Sequence, residues 1–128
     1  MGRKRCMGYD RVEDLRIYQV AEEISERVWE LTAKWPFFAK DTIGKQLVRS
    51  ADSIGANIAE GYGRHHKNDN LRFLFIARGS LQETKVWLSR AVKRRLVAQQ
   101  EYNTTSLLLE RLAPMLNAFI SSKVNMGG

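Results

Sequence analysis

Apolar residues recur along this chain three and four positions apart, the period of a helix with one buried face. The cleanest case is residues 14–35. There Ile17, Ala21, Ile24, Val28 and Leu31 fall on one side, and Glu22, Glu23, Glu26 and Glu30 on the other. Asp14 offers an N-cap. Pro36 ends the helix, because a proline pushes the residue before it out of the α region. Tyr18 and Trp29 lie on the edge of the stripe, placed either to flank the core or to meet a neighbouring subunit. The link 36–41 is short and apolar, and Phe37 and Phe38 in it predict a plug over the end of a bundle. Asp41 then caps a second helix that runs to about Gly61, with Gly61 and Gly63 as terminators.

That second helix carries two stripes. Ile43, Leu47, Ala51, Ile54 and Ile58 form the apolar one. Arg49, Ser53, Asn57 and Glu60 form a polar one beside it. Serine, aspartate, asparagine and an internal glycine each lower helix propensity by a few tenths to about 1 kcal/mol relative to alanine. A helix written in such residues needs close packing, a polar network, or both. Two readings stay open: close helix–helix packing, or a recognition surface. The stripe predicts a buried network of Arg49, Ser53, Asn57 and Glu60 with Glu83 of the next helix, with buried ion pairing as the role of the carboxylates.

The third helix spans about 68–96. Phe73, Leu74, Ala77, Leu81, Leu88 and Ala91 make its main stripe, and Ile76, Val86 and Trp87 lie well away from it. A helix apolar over so much of its circumference is central or buried on two sides. In a small bundle the second side must meet another subunit, so Ile76, Val86 and Trp87 are candidate oligomer contacts. The fourth helix, about 100–122, has a core face of Leu108, Leu112, Met115, Leu116 and Phe119. Pro114 sits in its middle, removes an amide donor and crowds the Glu110 carbonyl, which predicts a kink or a break. No strand alternation and no repeat occurs. The expected fold is all-α, an antiparallel up-down-up-down four-helix bundle over 12–122, between a flexible basic arm (1–11) and a disordered tail (123–128).

Composition adds little until charge is located. At 128 residues, 44% hydrophobic and 27% charged, the chain is one domain of ordinary globular make-up. Neither a membrane-length apolar run nor a signal-peptide core is present, and the single Cys6 excludes an internal disulfide or a cysteine-rich zinc site. These features fit a reducing cytoplasm. Residues 64–96 hold nine Lys/Arg against only Asp69 and Glu83, which accounts for the whole net charge of +7. A concentrated positive field attracts nucleic acid, anionic membranes or acidic proteins.

Catalytic signals are weak. His65 and His66 are adjacent, so they cannot share a helix face as metal ligands, and they read as solvated linker residues or phosphate contacts. The glycines of Gly61-Tyr-Gly63 follow a helix rather than a strand, which is wrong for a phosphate-binding loop. No catalytic residue, metal or cofactor is expected.

Several motifs together resemble a known family. They are Glu13-Asp14-Leu15 with Tyr18, Arg49-Ser-Ala-Asp-Ser-Ile54, Asn57-Ile-Ala-Glu-Gly61 with Arg64, Arg72-Phe-Leu-Phe-Ile-Ala77, Gly79-Ser-Leu-Gln-Glu83 and Met115-Leu-Asn117. Over residues 12–121, in order and spacing, the chain is similar to the bacterial S23, or 23S rRNA intervening-sequence, proteins. The resemblance implies a four-helix bundle assembled as a ring-shaped homopentamer. Some members of that family are encoded in insertions within 23S rRNA genes. A related branch, the accessory variability proteins of diversity-generating retroelements, comprises basic pentamers that bind a reverse transcriptase and nucleic acid. Pro114 and Arg78 depart from the family pattern.

The expectation is therefore a non-enzymatic, oligomeric nucleic-acid-binding or ribonucleoprotein accessory protein, with RNA the leading partner. Its candidate phosphate contacts are Arg64, Lys67, Arg90, Lys93, Arg94 and Arg95. The alternative is a scaffold whose basic surface binds an acidic protein. Lys93, Arg94 and Arg95 also have a simpler use, in keeping a helix end soluble and complementing its macrodipole.

Overall fold

Residues 11–125 are described by a computed structural model, and the expected arm up to residue 10, Cys6 and residues 126–128 lie outside them. Four helical stretches follow in order. Helix α1 is Arg16–Ala33. Helix α2 runs without interruption through 37–62, as Phe37–Ala39, a π-helical Lys40–Gly44 and Lys45–Tyr62. Helix α3 is Lys67–Lys93 and α4 is Gln99–Asn125. Each packs on its neighbour in the chain, and α1 also packs on α4, so the four close a circuit around one core. No strand occurs among the described residues.

The core is the one the apolar period marks. Ile24, Val28, Leu47, Ile54, Ile58, Leu74, Leu81, Leu88, Leu112 and Leu116 are all buried. Phe73, Met115 and Phe119 are only half-buried, and Val20, Leu109 and Ile120 complete the interior.

Polar side chains set how α2 meets α1 and α3. The Ser25 hydroxyl donates to the Ala51 carbonyl at 3.1 Å. Thr84 Oγ1 lies 3.0 Å from Ser50 Oγ, and Ser80 Oγ lies 2.9 Å from Ser53 Oγ. Asn57 Nδ2 donates to both the carbonyl and the hydroxyl of Ser53 at 2.8 Å. Asn70 Nδ2 donates to the Gly61 carbonyl at 2.6 Å. Along α2 the pairing positions rise from 50 to 61, while their α3 partners fall from 84 to 70. Short hydroxyl side chains let these backbones approach closely, which answers why α2 carries poor helix formers.

The elements depart from expectation at their ends. Leu15, not Asp14, stands before α1, and Asp14 belongs to a 3-10 turn, Val12–Asp14. The expected loop 36–41 is helical from Phe37 onward, with Pro36 as the residue that precedes it. Proline is pre-set for a helix start and has no amide to leave unbonded, so it ends one helix and begins the next. Phe37 and Phe38 are 78% and 79% exposed and plug nothing. Asp41 does not cap; it pairs with Lys45 at 3.0 Å inside the π-helical turn. A Cβ on Gly44 would lie 3.1 Å from the Ala39 carbonyl oxygen, so a side chain there would require the wide turn to give by a few tenths of an ångström. Gly61 lies inside α2, and Gly63 is the residue at its end. Helix α4 passes unbroken through Pro114 and continues beyond residue 122 to Asn125. Pro114 and Glu110 are both exposed, so water can take up the carbonyl that loses its amide.

Helix α3 stops at Lys93, three residues early, in a Schellman motif. The Arg95 amide donates to the Val92 carbonyl at 3.1 Å and the Leu96 amide to the Ala91 carbonyl at 2.9 Å. Arg95 occupies the left-handed position at φ 63°, where glycine is usual. Arg95→Gly is expected to stabilise the fold by about 1 kcal/mol, the left-handed penalty less glycine's greater unfolded-state entropy. A rise in the urea midpoint at unchanged m-value checks this.

One carboxyl on the α1–α2 face is perturbed. Burial, followed by the negative charges of Asp52 and Glu26, pushes Glu22 above the ordinary carboxylate range. Its charge therefore opposes folding at neutral pH, and the penalty is lost as the pH falls through the raised value. Glu22→Gln is expected to be more stable than the parent at neutral pH. That advantage should vanish below the ordinary value of 4.5, measured as melting temperature against pH.

Candidate nucleic-acid interface

Arg64, Lys67, Arg90, Lys93, Arg94 and Arg95 are all exposed, but they do not form one patch. Helix α3 has 27 residues and, at 1.5 Å per residue, is about 40 Å long. Arg64 and Lys67 stand at its start, and the other four at its far end.

The two clusters differ in freedom. Arg64 is held by Glu60, one turn back, and its guanidinium lies 4.9 Å from the Phe73 ring centroid. Arg72 packs against the same ring at 4.5 Å. At the far end Arg90 lies 4.9 Å from the Trp87 ring, and the Trp87 indole N–H donates to Glu83 at 3.1 Å. Lys93, Arg94 and Arg95 follow in the Schellman turn. Four cations within six residues, with no acid among them, make this end the denser concentration of positive charge.

The predicted buried network is corrected in its membership. Ser53 and Asn57 are in it, but Arg49, Glu60 and Glu83 are exposed. Glu60 pairs with Arg64 and Glu83 with Trp87, so neither reaches across to join the others. The partner that the polar stripe finds across the contact is the neutral Ser80, on Ser53, and a separate hydroxyl pair, Ser50 with Thr84, lies beside it. Burying hydroxyls against carbonyls needs no compensation of charge, whereas a buried arginine would need a complete set of partners.

The second face of α3 is real. At 100° per residue, Arg72, Ile76, Gly79, Glu83, Val86, Trp87 and Arg90 share one outward arc. Ile76 and Val86 are 42% and 47% exposed, Phe75 beside them is exposed, and Trp87 is half-buried against the core. Asn68, Leu71, Arg72, Phe75 and Ile76 line an open groove of 570 Å³. Arg78, one of the two departures from the family pattern, donates to Asn117 of α4 at 3.1 Å and lies 4.9 Å from the Phe75 ring.

Sequence reasoning missed a further surface. Between α1 and the start of α2 runs a groove of 480 Å³, lined by Trp29, Thr32, Ala33, Lys40, Gly44, Lys45, Val48 and Arg49. Reading 36–41 as loop hid it, since Lys40 then had no helix face to share with Lys45 and Arg49. His65 and His66 are exposed in the α2–α3 link. Among the described residues no three His, Cys, Asp or Glu side chains are grouped to hold a metal, and no helix is long and apolar enough to cross a membrane.

The fold has a solved counterpart. A protein of unknown function from the S23 ribosomal protein family of Bacteroides thetaiotaomicron VPI-5482 superposes with a TM-score of 0.73. It is 24% identical over 81% of this chain and 97% of its own. No curated protein sequence matches. The sequence model of one family, described as 23S rRNA-intervening sequence protein, matches residues 13–118 and so reaches into all four helices. The chain belongs to the 23S rRNA-intervening sequence protein family.

Proposed function

We propose that this protein is a non-enzymatic, cytoplasmic nucleic-acid-binding or ribonucleoprotein accessory protein that grips phosphates without strong sequence choice. In this reading its bundle is antiparallel, up-down-up-down, and works as a homo-oligomer, most simply the homopentamer of the resembled family. The observation that carries the reading is the cluster Arg90, Lys93, Arg94 and Arg95, exposed at one end of α3. Repetition of that cluster around a ring would multiply its field. The outward arc of α3 supports the assembly: Ile76 and Val86 are exposed apolar side chains on it, with Trp87 half-buried beside Val86 and Arg72 and Arg90 at the two ends.

The double charge reversal Arg90→Glu with Arg94→Glu tests it. Binding of single-stranded RNA should weaken. Its dependence on salt should flatten by about 1.4 log units per decade, the share of two neutralised phosphates on a single strand. Light scattering should still report the oligomer. A monomer mass for the parent protein would remove the interface role of Ile76, Val86 and Trp87. Absent binding at low salt, or binding unchanged in the variant, would make the acidic-protein scaffold the better account.

A further inference from the structure

We infer that the groove between α1 and the start of α2 is a seat for single-stranded nucleic acid, one base stacked on Trp29 and the flanking phosphates held by Lys40, Lys45 and Arg49. The inference rests on the nucleic-acid reading above and gives it a strand type and a second site.

Three observations meet in this groove. Its walls are apolar, from Ala33, Val48 and the Trp29 indole, which is 60% exposed although tryptophan is costly to leave in water. Its α2 side carries cations at 40, 45 and 49, and the last two are one turn apart on a single face. Lys45 shares its charge with Asp41 at 3.0 Å, whereas Lys40 and Arg49 are in no ion pair among the described residues. The wide π-helical turn Lys40–Gly44 builds this wall, and π-turns recur at binding sites.

An aromatic face beside a row of cations is how proteins take unpaired bases and the backbone that joins them. A duplex keeps its bases stacked on each other and cannot offer one to Trp29. The only hydroxyl in the wall, Thr32, already donates to the Val28 carbonyl, and the wall has no Asn, Gln, Asp or Glu to pair with a base edge while the cations are engaged by phosphates. Selection is for single strands over duplex, not for a sequence. The groove also lies level with the basic end of α3. Continuing the register of Ser53 with Ser80 and Ser50 with Thr84 brings position 44 opposite about 90. One strand could therefore use both.

The full-length protein is titrated with labelled oligothymidylate of about twelve nucleotides, with a duplex of equal length, and with an abasic oligomer of equal charge. Trp29→Ala should weaken oligothymidylate binding about 10- to 100-fold and bring it to the level of the abasic oligomer. It should leave abasic binding unchanged, and Trp29→Phe should restore most of the loss. Lys40→Ala with Arg49→Ala should flatten the salt dependence by about 1.4 log units per decade, as expected when two phosphates go without a cation. Equal binding of oligothymidylate by Trp29→Ala and the parent overturns the groove but leaves the α3 cluster as the binding surface. Loss of abasic binding as well, or loss of the oligomer, overturns it in favour of a structural role or a second copy of the chain in the groove. Binding of none of the probes by the parent at low salt overturns both this inference and the nucleic-acid reading.

Discussion

Gly61→Val is expected to destabilise the protein by about 3 kcal/mol, the sum of overpacking and a damaged buried hydrogen bond. Gly61 is buried at the end of α2, where the start of α3 crosses it. A Cβ there would lie 3.0 Å from the Asn70 carbonyl oxygen and 3.1 Å from Phe73 Cβ. The first of these is backbone and cannot swing aside. The branched γ-carbons of valine would push α3 away and stretch the 2.6 Å bond from Asn70 to the Gly61 carbonyl. Gly61→Ala is a graded control: about 1 kcal/mol gained in helix propensity offsets a milder clash, so its effect should be small. Thermal unfolding followed by circular dichroism should show the valine variant melting on the order of 10 °C lower. A valine variant as stable as the alanine one would mean that α2 and α3 are not in such close contact.

Pro114→Ala should act in the opposite direction and stabilise by about 2 kcal/mol. Proline inside a helix is roughly 3 kcal/mol worse than alanine, and about 1 kcal/mol of that is returned through its stiffer unfolded chain. Helix α4 is unbroken through this position, so the alanine amide would find the Glu110 carbonyl waiting for it. Pro114 is exposed, and the ring's removal would sacrifice little packing. Urea denaturation measures the gain directly as a higher midpoint. No gain would mean that the helix is already bent around the ring and that the bend is used in packing.

The sequence made the four helices and their buried faces legible because burial repeats every three or four residues and nothing here competes with that signal. The apolar stripe of α2, Ile43 to Ile58, is buried throughout. What it could not convey was where helices begin when the signal has two meanings. Pro36 closes α1 and opens α2 in one residue, so the sequence reads as an apolar loop where Phe37 and Phe38 are helical. The extra residue of the π-helical turn then puts Lys40 on the groove with Arg49, which a strict 3.6 period does not foresee. The polar stripe was visible, but its partners were not. Charged residues at 49, 60 and 83 give the louder signal, while the hydroxyls that complete the contact are ordinary serines and a threonine. The basic residues were legible one by one. Their division between the two ends of α3 was legible too, since Arg64 and Lys67 precede its expected start and the other four lie near its close.

The hydroxyl pairs between α2 and α3 also bear on which structure the chain adopts among its near relatives. Two helices that meet through aliphatic side chains can slide by one turn, about 5.4 Å, and still bury similar area. Ser50 with Thr84, Ser53 with Ser80 and Gly61 with Asn70 are all made at a single register. A slip of one turn would set Ser53 against Thr84 or Ser50 against Ser80, re-forming one hydroxyl pair and losing the other along with the Asn70 bond to Gly61. They thus work as the teeth of a key, adding little to the strength of the lock while deciding the position in which it closes.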